Sequence, residues 1–324
     1  MLGEHTSTSL TAAHAVADAL TGNVARVVLG KNDRIRLVVA GLLAGGHVLI
    51  EDAPGVGKTV LAKAVARSVG GTMGRIQGTA DLLPTDITGV TTYDQGTSEW
   101  RFRPGPLFHN VVLVDEINRA TPRAQSALLE AMAEGHTTVD GVDHSLPTPF
   151  FVLATQNPYG DVGTFPLVEG QLDRFAVAVS LGLPDRSAEH ALLTGDGGTP
   201  ELERLTPVIE TTDLLRSVAA VNAGVHASEA VLAYVLDIAD AVRARAGSGR
   251  GMSPRATLTL LRVAKAYALI DGRDFVAPDD VKAVAVPTLA HRLSAVTGPD
   301  SRSAIALVSA AVADTAVRTT SAHE

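Results

Sequence analysis

The sequence has no cysteine, which excludes disulfides and thiolate-ligated metal sites and leaves a reducing compartment open. Aromatic residues are scarce, at 4% of the chain with one tryptophan, Trp100, while 46% of residues are hydrophobic, so the core must be aliphatic. Excess positive charge is missing: 27 Lys and Arg against 35 Asp and Glu give a formal charge of −8. General nucleic-acid binders carry the opposite sign, so a nucleic-acid partner is disfavoured, although a local basic groove is not excluded. The start, Met1 to Thr6, lacks the basic-then-apolar layout of a secretion signal. The longest apolar run, Val38 to Ile50, contains glycines and His47 and is too short to span a bilayer. No internal repeat is visible. The expectation is a soluble, cytoplasmic protein without membrane insertion, long enough at 324 residues for two domains.

One stretch organises the rest. Glu51-Asp52-Ala53-Pro54-Gly55-Val56-Gly57-Lys58-Thr59 follows an apolar strand, His47 to Ile50, and precedes a helix, Val60 to Ala66. Strand, glycine loop, Gly-Lys-Thr and helix describe a phosphate-binding loop. Gly55 and Gly57 let backbone N–H groups turn into a concavity, and the helix N-terminus adds further donors and partial positive charge. Lys58 suits the terminal phosphates and the Thr59 hydroxyl suits Mg²⁺. The expected phosphate contacts are Pro54, Gly55, Val56, Gly57, Lys58, Thr59 and Val60. Asp52 stands where the usual pattern has its first glycine; that position precedes the tight part of the loop, so binding should survive.

Further polar strand ends accompany it. Val111-Val112-Leu113-Val114-Asp115-Glu116 reads as a buried parallel strand whose C-terminal edge carries Asp115 for Mg²⁺ and Glu116 as general base. Phe150 to Asn157 is a second such strand, and the Asn157 carboxamide should lie beside Glu116 if the two are adjacent; Asn157-Pro158 is also a plain loop opener. In Leu172-Asp173-Arg174-Phe175, Arg174 cannot easily reach its own nucleotide and suits a neighbour's; a surface salt bridge with Asp173 or Glu169 is the other reading. Val27 to Gly30 suits either an adenine-wrapping segment or a core turn.

The remaining chain reads as helices near residues 9–28 and 32–43, a strand over 72–77, and a hairpin from Val90 to Phe102 turning at Asp94-Gln95-Gly96. Trp100 and Phe102 share one face; packing on their own domain is preferred over substrate contact. Thr121, Pro122 and Gly135 punctuate a helix, and Val139-Asp140-Gly141-Val142 a tight hairpin. After Pro184 nearly everything is helical. Gly247-Ser248-Gly249-Arg250-Gly251 reads as a flexible loop, Ser253-Pro254 starts a helix with Arg255 in its first turn, Pro287 should break or kink the helix opened by Pro278, and a last helix runs from about 301 to 317. A cation at a helix N-terminus is unfavourable, so Arg255 should have a compensating anion, such as a γ-phosphate.

Taken together, these motifs resemble the MoxR-family AAA+ ATPases over nearly the whole chain. The loop corresponds to Walker A, Val111 to Glu116 to Walker B, Asn157 to sensor 1, Arg174 to the arginine finger and Arg255 to sensor 2. Asp81 to Gly89, Asp115 to Ala120, Ala154 to Pro158 and Gly170 to Phe175 are more specific to the family. The hairpin at about 88–104 resembles the helix-2 insert of the wider clade, while Lys31 and Asp52 depart from the family pattern. The resemblance implies an α/β P-loop core over 1–184 with a parallel sheet flanked by helices, followed by an all-α lid over 185–324. It implies a homo-oligomeric ring (usually a hexamer) with nucleotide at subunit interfaces, and a chaperone-like role, often beside a von Willebrand factor A domain protein; the expected position of ATP and Mg²⁺ is between core and lid. A magnesium-chelatase-like motor subunit, a nucleic-acid-directed motor and a non-hydrolysing nucleotide switch are the rival readings.

Overall fold

The computed structural model describes residues 2–53, 55–157, 163–247, 252–293, 297 and 301–317. Two helices, α1 (Leu2–Ala25) and α2 (Asn32–Leu43), lead into β1 (His47–Glu51). Next come α3 (Lys58–Ser68), the two-residue β2 (Val69–Gly70), β3 (Met73–Gln77), α4 (Pro84–Thr88) and a hairpin of β4 (Gly89–Asp94) and β5 (Glu99–Pro104). Then follow β6 (Val111–Asp115), α5 (Pro122–Glu134), a second hairpin of β7 (His136–Val139) and β8 (Val142–Ser145), β9 (Phe151–Gln156), α6 (Glu169–Leu172) and β10 (Phe175–Val179). Beyond lie α7 (Arg186–Thr194), α8 (Gly198–Arg204), β11 (Ile209–Glu210), α9 (Thr211–Gly224), α10 (Glu229–Ala246), α11 (Pro254–Ile270), α12 (Pro278–Leu289), a 3-10 turn (Ala290–Leu293) and α13 (Ser301–Asp314).

The main sheet has five strands in the order β10-β1-β9-β6-β3, all parallel. Its inner strands are continuous aliphatic runs because helices cover both faces. Alternate residues point to opposite sides: Val48, Ile50, Val111, Leu113 and Leu153 meet Leu61 and Val65 of α3, whereas Leu49, Val112, Val114 and Val152 meet Ala124 and Leu128 of α5. The helix α1 lays Leu10, Ala13, Ala17, Leu20 and Val24 into the first of these cores and packs against α9 and α11. The apolar interior is therefore continuous across Pro184. The helix α12 runs through Pro287 and ends two residues later, where the 3-10 turn takes over. The glycine-rich loop expected at 247–251 lies outside the described residues beyond Gly247. Among the described residues, no helix is long and apolar enough to cross a membrane.

Both expected hairpins form. Asp140 and Gly141, at φ 51° and 79°, make the tight left-handed turn between β7 and β8. Asp94 closes the other by accepting from Gly96 N at 2.9 Å. The preferred packing of Trp100 and Phe102 holds for only one of them. Phe102 stacks on His144 of β8 with ring centroids 3.9 Å apart. Trp100 is 72% exposed and touches the ring of Tyr93, its cross-strand neighbour, at 5.3 Å. A sequence pattern places both rings on one face, but only the neighbouring hairpin decides how far along the strand that face is covered.

Two polar side chains tie the sheet at opposite ends. His47, buried at the start of β1, accepts from Val152 N at Nδ1 (3.0 Å) and donates from Nε2 to Met132 O (3.2 Å), so it is neutral. Burial pushes its pKa down to about 4. His291 is likewise held down to about 3, by burial and then by the charge of Arg292. Asp52, at the end of β1, accepts from Ser180 Oγ at 3.0 Å and Gly182 N at 2.7 Å, joining the start of the phosphate loop to the exit of β10. The missing loop glycine thus has a structural reason: the carboxylate links two strand ends.

An unfolded histidine titrates near 6.5, so the unfolded chain takes up protons first as the pH falls. Stability contributed by the neutral histidines is full above about pH 6.5 and is lost as the pH falls towards their folded values, at about 1.4 kcal/mol per unit per group. Urea-unfolding midpoints should drop over that window, and His47→Gln should flatten the slope. Asp52→Gly should cost about 2 kcal/mol by removing two charge-assisted bonds, seen as a lower urea midpoint with the phosphate loop still competent.

Candidate functional site

All five strands end at one edge of the sheet, and the phosphate loop leaves β1 there. Gly55 and Gly57 adopt φ 84° and 94°, left-handed values that glycine takes without strain, and Gly57 is the N-cap residue of α3. Pro54 lies outside the described residues. Val56 and Val60 are half-buried against the core, anchoring the loop from beneath. The Lys58 ammonium donates to the backbone oxygens of Asp52 and, at 3.2 Å, of Ala53. Burial lowers its pKa, and the charges of Asp52, Glu116 and Asp115 oppose that. The lysine therefore lies in the electrostatic reach of both carboxylates expected to manage metal and water. Gly30, Lys31, Asn32, Asp33, Arg34 and Leu181 line a cavity of about 420 Å³, at the end of the 27–30 segment that suits either an adenine-wrapping role or a core turn.

Two strands over, the acidic pair is built. Asp115 is buried, with Oδ1 accepting from Thr59 Oγ1 at 3.0 Å. A hydroxyl and a carboxylate oxygen so placed are the hard donors Mg²⁺ takes when phosphate and water complete its shell. Among the described residues no group of three His, Cys, Asp or Glu could hold a metal unaided. Glu116 sits at φ 54° and ψ 50°, a left-handed conformation that costs a non-glycine residue about 1 kcal/mol or more. The turn is held by Glu116 N donating to Thr155 Oγ1 at 3.0 Å and by Arg119 N donating to Glu116 O at 2.8 Å. Gly78 makes room for it: a Cβ there would meet Glu116 O at 2.1 Å. Asn157 follows β9 directly, between the loop strand and the Glu116 strand, as expected, and its carbonyl accepts from Asn118 Nδ2 at 3.0 Å.

Sequence reasoning missed Arg75 and Gln77. They alternate with buried Gly74 and Ile76 along β3, which pairs with β6. Arg75 contacts Asp115 Oδ2 with Nε at 3.0 Å and Nη2 at 2.9 Å, and Gln77 donates to Glu116 Oε2 at 3.4 Å. Arg119 reaches the same Glu116 oxygen at 3.2 Å. The signal was two polar residues at strand period, alternating with buried Gly74 and Ile76. Only the pairing register shows that they face the acidic pair. Glu51, at the end of β1, has a raised pKa through burial, opposed by its hydrogen bond from Gln156.

Arg174 and Arg255 are elsewhere. Arg174 precedes Phe175, which pairs with His47, the first residue of β1, whereas the loop follows the last, Glu51. The four intervening steps of strand put about 13 Å between the two edges. Arg174 donates from Nε to Leu129 O at 2.8 Å and from Nη1 to Gly170 O. The alternative salt bridge with Asp173 does not form, because Asp173 is occupied by the helical region. Ser253, the N-cap of α11, donates to Asp173 Oδ1 at 3.1 Å and accepts from Ala256 N at 3.1 Å. Arg255, two residues on, is exposed at this same edge, and its charge acts on Arg292 beside Asp173. Arg255 therefore stands with α11 at the Arg174 edge of the sheet, away from the loop edge.

Residues 47–177 match the ATPase family associated with various cellular activities (AAA), and residues 240–306 match the AAA lid domain. The chain is 45% identical to the Bacillus subtilis protein YeaC over 86% of this chain and 87% of that one. It is 41% identical to the chaperone MoxR1 of Mycobacterium tuberculosis, over 83% and 73% of the two chains. A crystal structure of a Cytophaga hutchinsonii protein assigned as an ATPase superposes with a TM-score of 0.81 at 32% identity, covering 95% of this chain and 97% of the other. With its parallel nucleotide-binding sheet and helical lid, the chain belongs to the MoxR family of AAA+ ATPases.

Proposed function

We propose that this ATPase is an ATP-driven remodeller of proteins that works as a ring, with each nucleotide completed by two copies of the chain. Gly55, Val56, Gly57, Lys58, Thr59 and Val60 cradle the phosphates, with Pro54 completing the loop. Thr59 and Asp115 hold Mg²⁺, which neutralises phosphate charge. Glu116 takes the proton of the attacking water, and Asn157 orients that water or the γ-phosphate. Arg174 and Arg255 serve the nucleotide of the neighbouring copy. The observation that carries this reading is the separation itself: the 3.0 Å Thr59–Asp115 contact lies at one sheet edge and both arginines at the other.

A remodelling role is supported by the chaperone MoxR1 relative. The exposed Tyr93–Trp100 pair supplies an apolar surface suited to a protein client. A von Willebrand factor A domain partner and a cytoplasmic setting follow from the family resemblance. Loss of the γ-phosphate would release the neighbour's arginines, so hydrolysis would alter the joint between copies.

Glu116→Gln should bind ATP with near-native affinity and lose turnover by about 10²-fold or more, measured by phosphate release; normal turnover would remove Glu116 as the base. Arg174→Ala and Arg255→Ala should each be inactive alone yet regain activity when mixed with Glu116→Gln protein. The mixture creates interfaces with an intact loop on one side and intact arginines on the other. If neither variant recovers in the mixture, sharing of the site between copies is wrong.

A further inference from the structure

Among the described residues, Arg292 is one of the largest fully buried side chains, with its side chain 2% exposed. It lies in the 3-10 turn after α12, far along the chain from every motif of the ATPase site. Burying a guanidinium is costly unless its donors are satisfied, and three acceptors meet it here. Nε donates to Thr288 O at 2.9 Å, Nη2 to Phe175 O at 2.7 Å, and Nη1 to Asp173 Oδ1. His291 reaches the same Phe175 oxygen at 3.2 Å. Two of these three acceptors belong to the segment Asp173-Arg174-Phe175, on either side of Arg174. The third belongs to the turn's own helix.

Asp173 has a second partner from the helical region. Ser253 Oγ lies 3.1 and 3.2 Å from its two oxygens while capping α11 through Ala256 N. One carboxylate thus joins the residue preceding Arg174 to the turn that carries Arg255. Arg292 bonds the Oδ1 that Ser253 also contacts, together with the carbonyl of Phe175, the residue after Arg174. The carboxylate explains how two arginines from distant parts of the chain are held near one another: Asp173 adjoins Arg174 and bonds Ser253 at the start of the helix carrying Arg255, while Arg292 holds both Asp173 and Phe175 O. A lysine, with a single point charge, cannot span them.

We infer that Arg292 is a positioning residue: through Asp173 and Phe175 O it sets Arg174 and Arg255 as one rigid pair that a neighbouring copy's nucleotide meets as a unit. The inference rests on the reading that those arginines act between copies. A 1 Å misplacement of groups serving a reaction costs about 10²-fold in rate, so loosening this clamp should lower kcat while sparing nucleotide binding at the chain's own loop.

The test uses full-length Arg292→Met, Arg292→Lys and Ser253→Ala, with Arg174→Ala as control. Ser253→Ala removes one link to Asp173 and one helix cap and should leave the chain folded. Each variant is measured for binding of a fluorescent ATP analogue, for phosphate release, and for phosphate release when mixed with Glu116→Gln protein. The expected result is unchanged binding, kcat reduced by about tenfold to 10²-fold, and recovery in the mixture, because Glu116→Gln copies bring intact clamps. Lysine should not rescue. Native kcat in Ser253→Ala and either Arg292 variant would overturn the inference. So would loss of analogue binding together with no recovery in the mixture, which would make Arg292 a support of the whole fold. Failure of the Arg174→Ala control to recover would instead strike the sharing of sites between copies.

Discussion

All five strands of the central sheet run in one direction, and that direction decides where chemistry is possible. Backbone polar groups at the C-terminal edge have no further strand to pair with, so loops and helix N-termini collect there and bind anions. The phosphate loop, Asp115, Glu116 and Asn157 all leave the sheet at this edge. The opposite edge, where Arg174 precedes β10, is separated from it by the length of a strand. Arg174 therefore stands away from its own chain's phosphate loop, which is what the proposed sharing of sites between copies requires.

Three aspartates at strand ends do much of the joining. Asp52 ties the exit of β1 to the exit of β10, and Asp115 ties β6 to Thr59 of α3 and to Arg75 of β3. Asp173 ties the entrance of β10 to α11 and to the turn after α12. A carboxylate suits such positions because it accepts several bonds from different directions and its charge strengthens each. The first two organise the edge that receives phosphate. The third fastens α11 and the turn after α12 to the opposite edge, beside Arg174.

The two hairpins show a similar division of labour. Phe102 stacks on His144, which holds β4–β5 against β7–β8, and Tyr93 and Trp100 extend beyond that contact into solvent. In a chain so poor in aromatics, an exposed indole at the tip of a braced hairpin is costly for solubility unless something else covers it.

Local signals were enough to identify much of this protein before any tertiary information. Glycines before a Lys-Thr helix start, aliphatic runs ending in Asp-Glu or Gln-Asn, Asp140-Gly141 between short strands, and Ser253-Pro254 opening a helix all act over a few residues, where backbone sterics and capping chemistry decide the outcome. They sufficed for the parallel α/β core, the helical second half and the loop that holds phosphate. What they could not carry was anything set by register or docking across the chain. That Arg75 and Gln77 face Asp115 and Glu116 depends on which strand lies beside β6. That Arg255 sits with Arg174 depends on a carboxylate 80 residues from Ser253. That Trp100 is bare while Phe102 is covered depends on where a second hairpin stops. Contacts between distant residues leave no periodic trace along a single chain, so only the folded molecule decides them.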